Sequence, residues 1–489
     1  MANLKGLVKD TAIYGMSSIV GRFLNYLLVP LYTHVISAES GGYGVVTNLY
    51  AYSALFLVIL TFGMETTFFR FANKEGENPH AVFSTAIAMV GTLALLFLAG
   101  VLGFIGPITE AMGYADHPEY VQVMAVVTTL DVLQAIPFSY LRYQKKAIKF
   151  ASLKFLFIVL NIGLNLLFFV ALGKTDVGYV FTLNLACTGL ITFFFIPELF
   201  GVRWEFDFSL LRRMFTYSWP ILVLGIAGIL NQTFDKMIFP WAYTYTGEHT
   251  MKEAQVQLGI YGGCVKVAMI MAMITQAFRY AYEPIVFAKS KDKDSKEYYA
   301  VAMKYFIIFT LFAFLCVEGY LDLLKRIVNS DYHEGLKVVP IVMVAEIMMG
   351  VYFNLSFWYK LTDQTLWGAL FSGIGCLVLF AINIIFIPKI GYMACAWAGV
   401  GGYGTATLLS YFVGQKKYRI DYPLGDIALY TVVAAILFAG MVFANDHLGT
   451  WAALAVNVAL ILVFCAVIVW RDLPLSSLPV VGKYFRKHA

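Results

Sequence analysis

Gly259 to Phe287 reads GIYGGCVKVAMIMAMITQAFRYAYEPIVF, an apolar run long enough to cross a bilayer that still carries Lys266, Gln276, Arg279 and Glu283. A charge in the hydrocarbon layer is costly, so each of these side chains needs a partner, water or a substrate. The run has an echo earlier in the chain. A constant offset of 218 residues lays Tyr261-Gly262 on Tyr43-Gly44, Glu283 on Glu65 and Phe287 on Phe69. Self-matches of this kind are left by internal repeats, and transporters are commonly built from them. The expectation is a two-lobed transporter in which this helix and its echo line the space between the lobes.

Composition sets the class. The 489 residues are 60% hydrophobic and only 13% charged, with a mean hydropathy of +0.74, whereas soluble domains carry about 25% charged residues. This is an all-α polytopic membrane protein. Six cysteines, Cys187, Cys264, Cys316, Cys376, Cys395 and Cys465, all fall in apolar segments without metal-ligand spacing. They are expected to be small buried hydrophobes, with neither disulfide nor metal. The net charge of +5 lies in short loops at membrane edges, where it sets orientation and gives no nucleic-acid signature. Met1 to Lys9 is short, polar and basic, unlike a cleavable signal peptide.

Apolar runs of about 20 residues, bounded by charge, Gly or Pro, number about fourteen. They lie near 11–36, 42–64, 81–105, 119–140, 150–172, 177–200, 214–240, 256–282, 297–319, 336–359, 364–388, 391–414, 425–445 and 449–471. With a cytoplasmic N-terminus, about 24 Lys and Arg fall on the cytoplasmic side and about six outside, so both termini are expected inside. Arg142, Lys145, Lys146, Lys149, Arg212, Arg213, Lys289 and Lys416 are among the inner ones. Every loop is short, which leaves no extramembrane domain for the catalytic carboxylates of a membrane glycosyltransferase or polymerase. The linker ELFGVRWEFDFSLLRR reads as an amphipathic surface connector. It divides the chain into an N-lobe at 1–200, a linker at 201–213, a C-lobe at 214–414, and two further helices with a cytoplasmic tail at 415–489.

Polar residues within the spans are the candidate site. Ser18, Arg22 and Asn25 share one face of the first span. Arg22 is too deep to reach water by snorkelling, so it meets either a substrate anion or a salt-bridge partner. In the seventh span Gly228, Asn231 and Asp235 share a face, with Gln232 and Lys236 beside them. Asp235 reads equally as a cation or proton site and as an ion-pair partner for Lys266, and Lys236 as a snorkelling side chain. Gln276, Arg279 and Glu283 share a face of the eighth span, with Arg279 and Glu283 spaced i, i+4. They form either a structural clamp or a gate at the cytoplasmic mouth. Asp131 with Gln134, Asn161 with Asn165, Glu346 with Asn354, and Asn383 are expected to be satisfied between helices.

GRFLNYLLVPLYTHVIS followed by GGYG, then PILVLGIAGILNQTFDKMI, and the stretch from Gly259 to Phe287 resemble polysaccharide-transport flippases of the multidrug/oligosaccharidyl-lipid/polysaccharide (MOP) exporter superfamily. The nearest branch in character is that of the bacterial lipopolysaccharide and O-antigen flippases. The resemblance implies a MATE-like fold of two six-helix lobes plus two C-terminal helices. It implies no enzyme and no cofactor, and a place in the bacterial inner membrane. The cargo would be an undecaprenyl-pyrophosphate-linked oligosaccharide, moved by alternating access about bends near Pro30 and Pro240. Other polysaccharide-assembly proteins would be partners beside the bilayer. Arg22, Lys266 and Arg279 would then hold pyrophosphate, while Asn25, Asn48, Asn231, Gln232 and Gln276 would bond sugar hydroxyls. Glu65, Asp235 and Glu283 would gate, or couple transport to H+, Na+ or the membrane potential. Two rivals remain open, a cation-coupled multidrug exporter of the same superfamily and a membrane enzyme such as an oligosaccharide polymerase.

Overall fold

A computed structural model describes residues 28–201, 203–289 and 294–472. Helices joined by short turns make up the described residues, with no strand among them. Twelve helical segments are long and apolar enough to cross a membrane. Ten of them cover the expected second to eleventh spans, from Gly42–Ala72 to Leu366–Ile390, and Leu424–His447 and Thr450–Arg471 cover the last two. Most of the expected first span, including Ser18, Arg22 and Asn25, lies outside the described residues. Its end is the helix Leu28–Val35. The expected twelfth span is a helix of 25 residues, Met393–Lys417. It is less apolar than the rest because glycines replace large side chains, and those glycines allow close packing: a Cβ on Gly402 would stand 2.9 Å from the Gly375 carbonyl oxygen.

Helix starts follow local chemistry. Asn78 Oδ1 accepts from the His80 amide at 3.0 Å, and Pro79 takes the first helical position, where its missing donor costs nothing. Thr250 and Glu253 form a reciprocal capping box, the Thr250 amide donating to Glu253 Oε2 at 2.7 Å and the Glu253 amide to Thr250 Oγ1 at 3.2 Å. That cap starts the helix Met251–Lys289 earlier than the apolar run suggests. Asp207 does the same for Phe208–Thr244, its carboxylate accepting from the Ser209 amide at 2.8 Å. The helix therefore takes up half of the expected linker, leaving residues 203–207 as its exposed, non-helical part. Pro220 and Pro240 lie inside this 37-residue helix, where each removes a backbone hydrogen bond.

Contacts group the chain into two compact units, Met1–Gly263 with Phe380–Cys395 and Cys264–Leu379 with Ala396–Ala489. This grouping and the lobe boundary drawn at the linker are different divisions of the chain. In the first unit the long helix Phe208–Thr244 packs along Gly42–Thr61 and Met64–Ala72. Its core joins Met64, Phe68, Phe83, Val90, Val132 and Ile136, all fully buried. In the second unit Ser295–Gly319 packs against Leu424–His447 and Thr450–Arg471. An ionic cluster fixes these three helices to one another: Lys304 Nζ lies 2.8 Å from Asp426 Oδ2 and also pairs with Asp472, and Arg471 bonds Asp426 Oδ1 at 2.5 Å.

The two glycine motifs that revealed the repeat meet within the first unit. A Cβ on Gly44 would stand 1.8 Å from the Gln255 carbonyl oxygen, and one on Gly259 would stand 2.9 Å from the Gly44 nitrogen. Further along, a Cβ on Gly262 would stand 2.4 Å from Thr47 Oγ1. The contacts advance along both helices together, so Gly42–Thr61 and the start of Met251–Lys289 run parallel and touch backbone to backbone. Small residues permit such an approach in a membrane, where packing replaces the hydrophobic effect between helices.

Candidate functional site

In the first unit, residues from both ends of the sequence argument converge on Asp235. Lys236 Nζ lies 3.0 and 3.1 Å from its two carboxylate oxygens, and Tyr261 Oη donates to Oδ2 at 2.7 Å. The Lys236 ammonium also stands 5.6 Å from the centre of the Tyr261 ring. Instead of snorkelling, Lys236 thus neutralises the carboxylate next to it in sequence. Asn48 secures the same helix from the other side, its Nδ2 donating to the Lys236 carbonyl at 2.7 Å and its Oδ1 accepting from Tyr114 Oη at 2.8 Å. Both ends of that buried amide are occupied. Of the neighbouring amides, Asn231 is half-buried and Gln232 is exposed.

A second polar group of the first unit centres on Glu65. Arg142 Nη2 lies 3.2 Å from Glu65 Oε2 and 3.1 Å from Ser139 Oγ, with its guanidinium 4.9 Å from the Phe69 ring centre. Lys154, inside the fifth span, covers the Phe138 ring at 3.9 Å. Lys149 bonds both oxygens of the buried Glu198, at 2.6 and 2.7 Å. Beside Tyr114, a cavity of about 390 Å³ is lined by Asp116, His117, Lys252 and Gln255 among others. It presents charges of both signs and so selects no ligand by charge.

In the second unit, Glu283 is the centre. Lys360 Nζ lies 3.1 Å from its Oε1, and Arg279 Nε lies 3.6 Å from its Oε2, so the expected i, i+4 pair has a third member. The Arg279 guanidinium also rests 4.4 Å from the Phe353 ring centre. Lys266 and Gln276 are half-buried on the same helix. Each of the three carboxylates expected to gate or couple, Glu65, Asp235 and Glu283, thus sits in an ion pair.

Sequence reasoning missed Lys360, and it counted Arg142 only as a loop charge. The signal was present: Arg142 and Lys360 are separated by the same 218 residues as Glu65 and Glu283. Both repeats place an acid on one span and a base on another, 3.2 Å apart in the first and 3.1 Å in the second. Among the interior amides, Gln134 donates to the Thr188 carbonyl at 3.0 Å, and Asn165 accepts from Tyr32 Oη at 2.9 Å, as expected for packing residues.

The fold is that of the MOP-superfamily transporters. The chain is similar to the lipid II flippase MurJ in an inward closed conformation, with a TM-score of 0.73 at 15% identity over 95% of this chain and 99% of that one. It is also similar to an inward-facing multidrug resistance MATE family transporter, with a TM-score of 0.59 at 15% identity over 83% and 97% of the two chains. A MOP superfamily transporter from Pyrococcus furiosus, described as having a binding pocket of reversed polarity, gives 0.53 at 14% identity over 83% and 95%. Residues 7–286, more than half of the chain, match the polysaccharide biosynthesis protein family, Polysacc_synt, and the chain belongs to that family. No curated protein matches it by sequence.

Proposed function

We propose that this chain flips an undecaprenyl-pyrophosphate-linked oligosaccharide, a repeat unit of O-antigen, capsule or exopolysaccharide, from the inner to the outer leaflet of the bacterial inner membrane by alternating access. One observation carries the reading: a member of the polysaccharide biosynthesis family has the fold of the MOP transporters. A transporter in such a family has a glycan intermediate as its natural cargo, and moving the intermediate needs a protected route for a charged headgroup. Arg22, Lys266 and Arg279 would supply cations for the pyrophosphate, whose charges interact strongly in a low-dielectric setting. Asn25, Asn231, Gln232 and Gln276 would bond sugar hydroxyls. Asn48 is the weakest of these candidates, because both ends of its amide are engaged.

Coupling to H+ or Na+ through Glu65, Asp235 or Glu283 would require the corresponding ion pair to open. Both termini would be cytoplasmic. Expression in a bacterium lacking its own O-antigen flippase tests the reading. Surface glycan returns if it is right, and removal of Lys266 abolishes the return at unchanged protein level. A chain that instead conferred resistance to cationic drugs and restored no glycan would put the multidrug-exporter reading first.

A further inference from the structure

The cavity of about 390 Å³ beside Tyr114 lies inside the first unit, where four spans begin. Gly42 and Met251 open their helices, and His117 and Val177 stand just before theirs. With both termini cytoplasmic, all four starts face the outer side. The volume falls in the range of about 300–1,000 Å³ typical of small-molecule sites. The helix starts themselves call for no anion. Ser40 Oγ accepts from the Gly42 amide at 3.1 Å, Asp176 Oδ1 from the Gly178 amide at 2.7 Å and Glu253 Oε2 from the Thr250 amide at 2.7 Å, while Pro118 has no donor to satisfy.

Three side chains of the lining are uncommitted. Among the described residues, Asp116, Lys252 and Gln255 make no side-chain hydrogen bond or ion pair. The first accepts, the second donates, and the amide does both. Beside them the His117 and Tyr120 rings stack 4.8 Å apart and 10° from parallel. Their orientation is fixed, with His117 Nδ1 bonded to Glu119 at 2.9 Å and Tyr120 Oη donating to Asp176 at 3.3 Å. The pair adds flat apolar surface to a polar lining.

The stacked rings are not a requirement of the fold. At the 218-residue offset Tyr114 falls on Tyr332 and Asp116 on Glu334, but His117 falls on Gly335 and Tyr120 on Val338. Tyr114 and Tyr332 are both buried, so the anchoring ring is kept in each repeat. Gly335 and Val338 are buried too, whereas His117 is exposed and Tyr120 half-buried. The second repeat thus builds the same stretch without an aromatic pair.

The ligand's chemistry follows from the lining. The opposite charges of Asp116 and Lys252 disfavour an anion and a cation alike, and an apolar ligand would strip water from both without replacing its hydrogen bonds. A neutral molecule with several hydroxyls, each able to donate and accept, and an apolar face for the rings meets every group. A sugar ring has that chemistry. We infer that this cavity is a saccharide subsite at the outer mouth of the transport route, where Asp116, Lys252 and Gln255 bond hydroxyls and the His117–Tyr120 pair carries the ring. The inference rests on the glycan-flippase reading and deepens it by giving the glycan a holding point on the side of release.

Binding of free hexoses and N-acetylhexosamines to the purified full chain tests it, by saturation-transfer NMR in a detergent without a sugar headgroup. Asp116→Ala with Gln255→Ala, and Lys252→Ala, are the variants, with thermal unfolding as the check on folding. The expected result is saturable binding of at least one sugar by the wild type, at least tenfold weaker in folded variants. No saturable binding, or equal binding by wild type and variants, overturns the subsite. Saturable binding of inorganic pyrophosphate in place of sugar, lost in Lys252→Ala, overturns it in favour of an anion site. Glycan export is the second readout, and the variants should lower it at equal protein level. Export unchanged in variants that have lost sugar binding would overturn the subsite's place on the route. If the wild type exports no glycan but binds sugar and the variants do not, the flippase reading fails and the saccharide site stands.

Discussion

Glu65 pairs with Arg142 at 3.2 Å, and 218 residues later Glu283 pairs with Lys360 at 3.1 Å. Two long-range contacts of the same chemistry on one offset show that the repeat extends to its ionic clamps. Both pairs are partly exposed, and exposed pairs contribute about 0–1 kcal/mol each. A double-mutant cycle on Glu65 and Arg142 should therefore give a coupling below about 1 kcal/mol. The cycle on Glu283 and Lys360 should match it in sign and size, read from thermal unfolding. A coupling of zero in one repeat only would show that the clamp is not shared.

Lys149 and Glu198 present the opposite case, because the Glu198 side chain is only 6% exposed. Lys149→Ala strands a buried carboxylate, a change that costs about 3–5 kcal/mol. Folded yield in the membrane should fall sharply. Lys149→Met combined with Glu198→Leu removes both charges and should recover most of it.

Gly44 cannot carry a side chain, since a Cβ would overlap the Gln255 carbonyl oxygen at 1.8 Å. Gly44→Ala should lower stability by about 1–3 kcal/mol, the range for overpacking. Gly100→Ala is the control. It lies in a helix with nothing within 4 Å of its Cβ position, so it should gain up to about 1 kcal/mol.

Asp235 and Lys236 neutralise each other at 3.0 Å. Asp235→Ala alone should destabilise more than Asp235→Ala with Lys236→Ala, because the single change leaves an unpaired ammonium. Tyr261→Phe should cost about 1.5–3 kcal/mol, the range for a hydrogen bond to a charged group. If Asp235→Asn exports normally when the ion gradient is collapsed and also when it is intact, Asp235 has no part in coupling.

Much of this architecture can be read from the chain alone. Apolar run lengths locate the spans, and the echo of Tyr261-Gly262 in Tyr43-Gly44 locates the helices that meet backbone to backbone. Helix ends are less legible, because caps such as Asp207 and the Thr250–Glu253 box extend helices beyond the apolar run. Ion pairing is least legible. Residues adjacent in sequence point to different sides of a helix, so the Asp235–Lys236 pair depends on Lys236 curling back over its own helix, where it also bonds the Gln232 carbonyl at 3.0 Å. Asn48 reads as a sugar ligand until Tyr114 and the Lys236 carbonyl, distant in sequence, are seen to occupy it.

Transport of a lipid-linked glycan can be measured by reconstitution. The purified chain would be placed in liposomes containing undecaprenyl-pyrophosphate-linked oligosaccharide, with susceptibility of the sugar to an external glycosidase measured over time. The initially protected half of the glycan should become cleavable with the wild type and stay protected with Lys266→Ala. Protection that persists with folded wild-type protein, under an imposed ion gradient and without one, would contradict it.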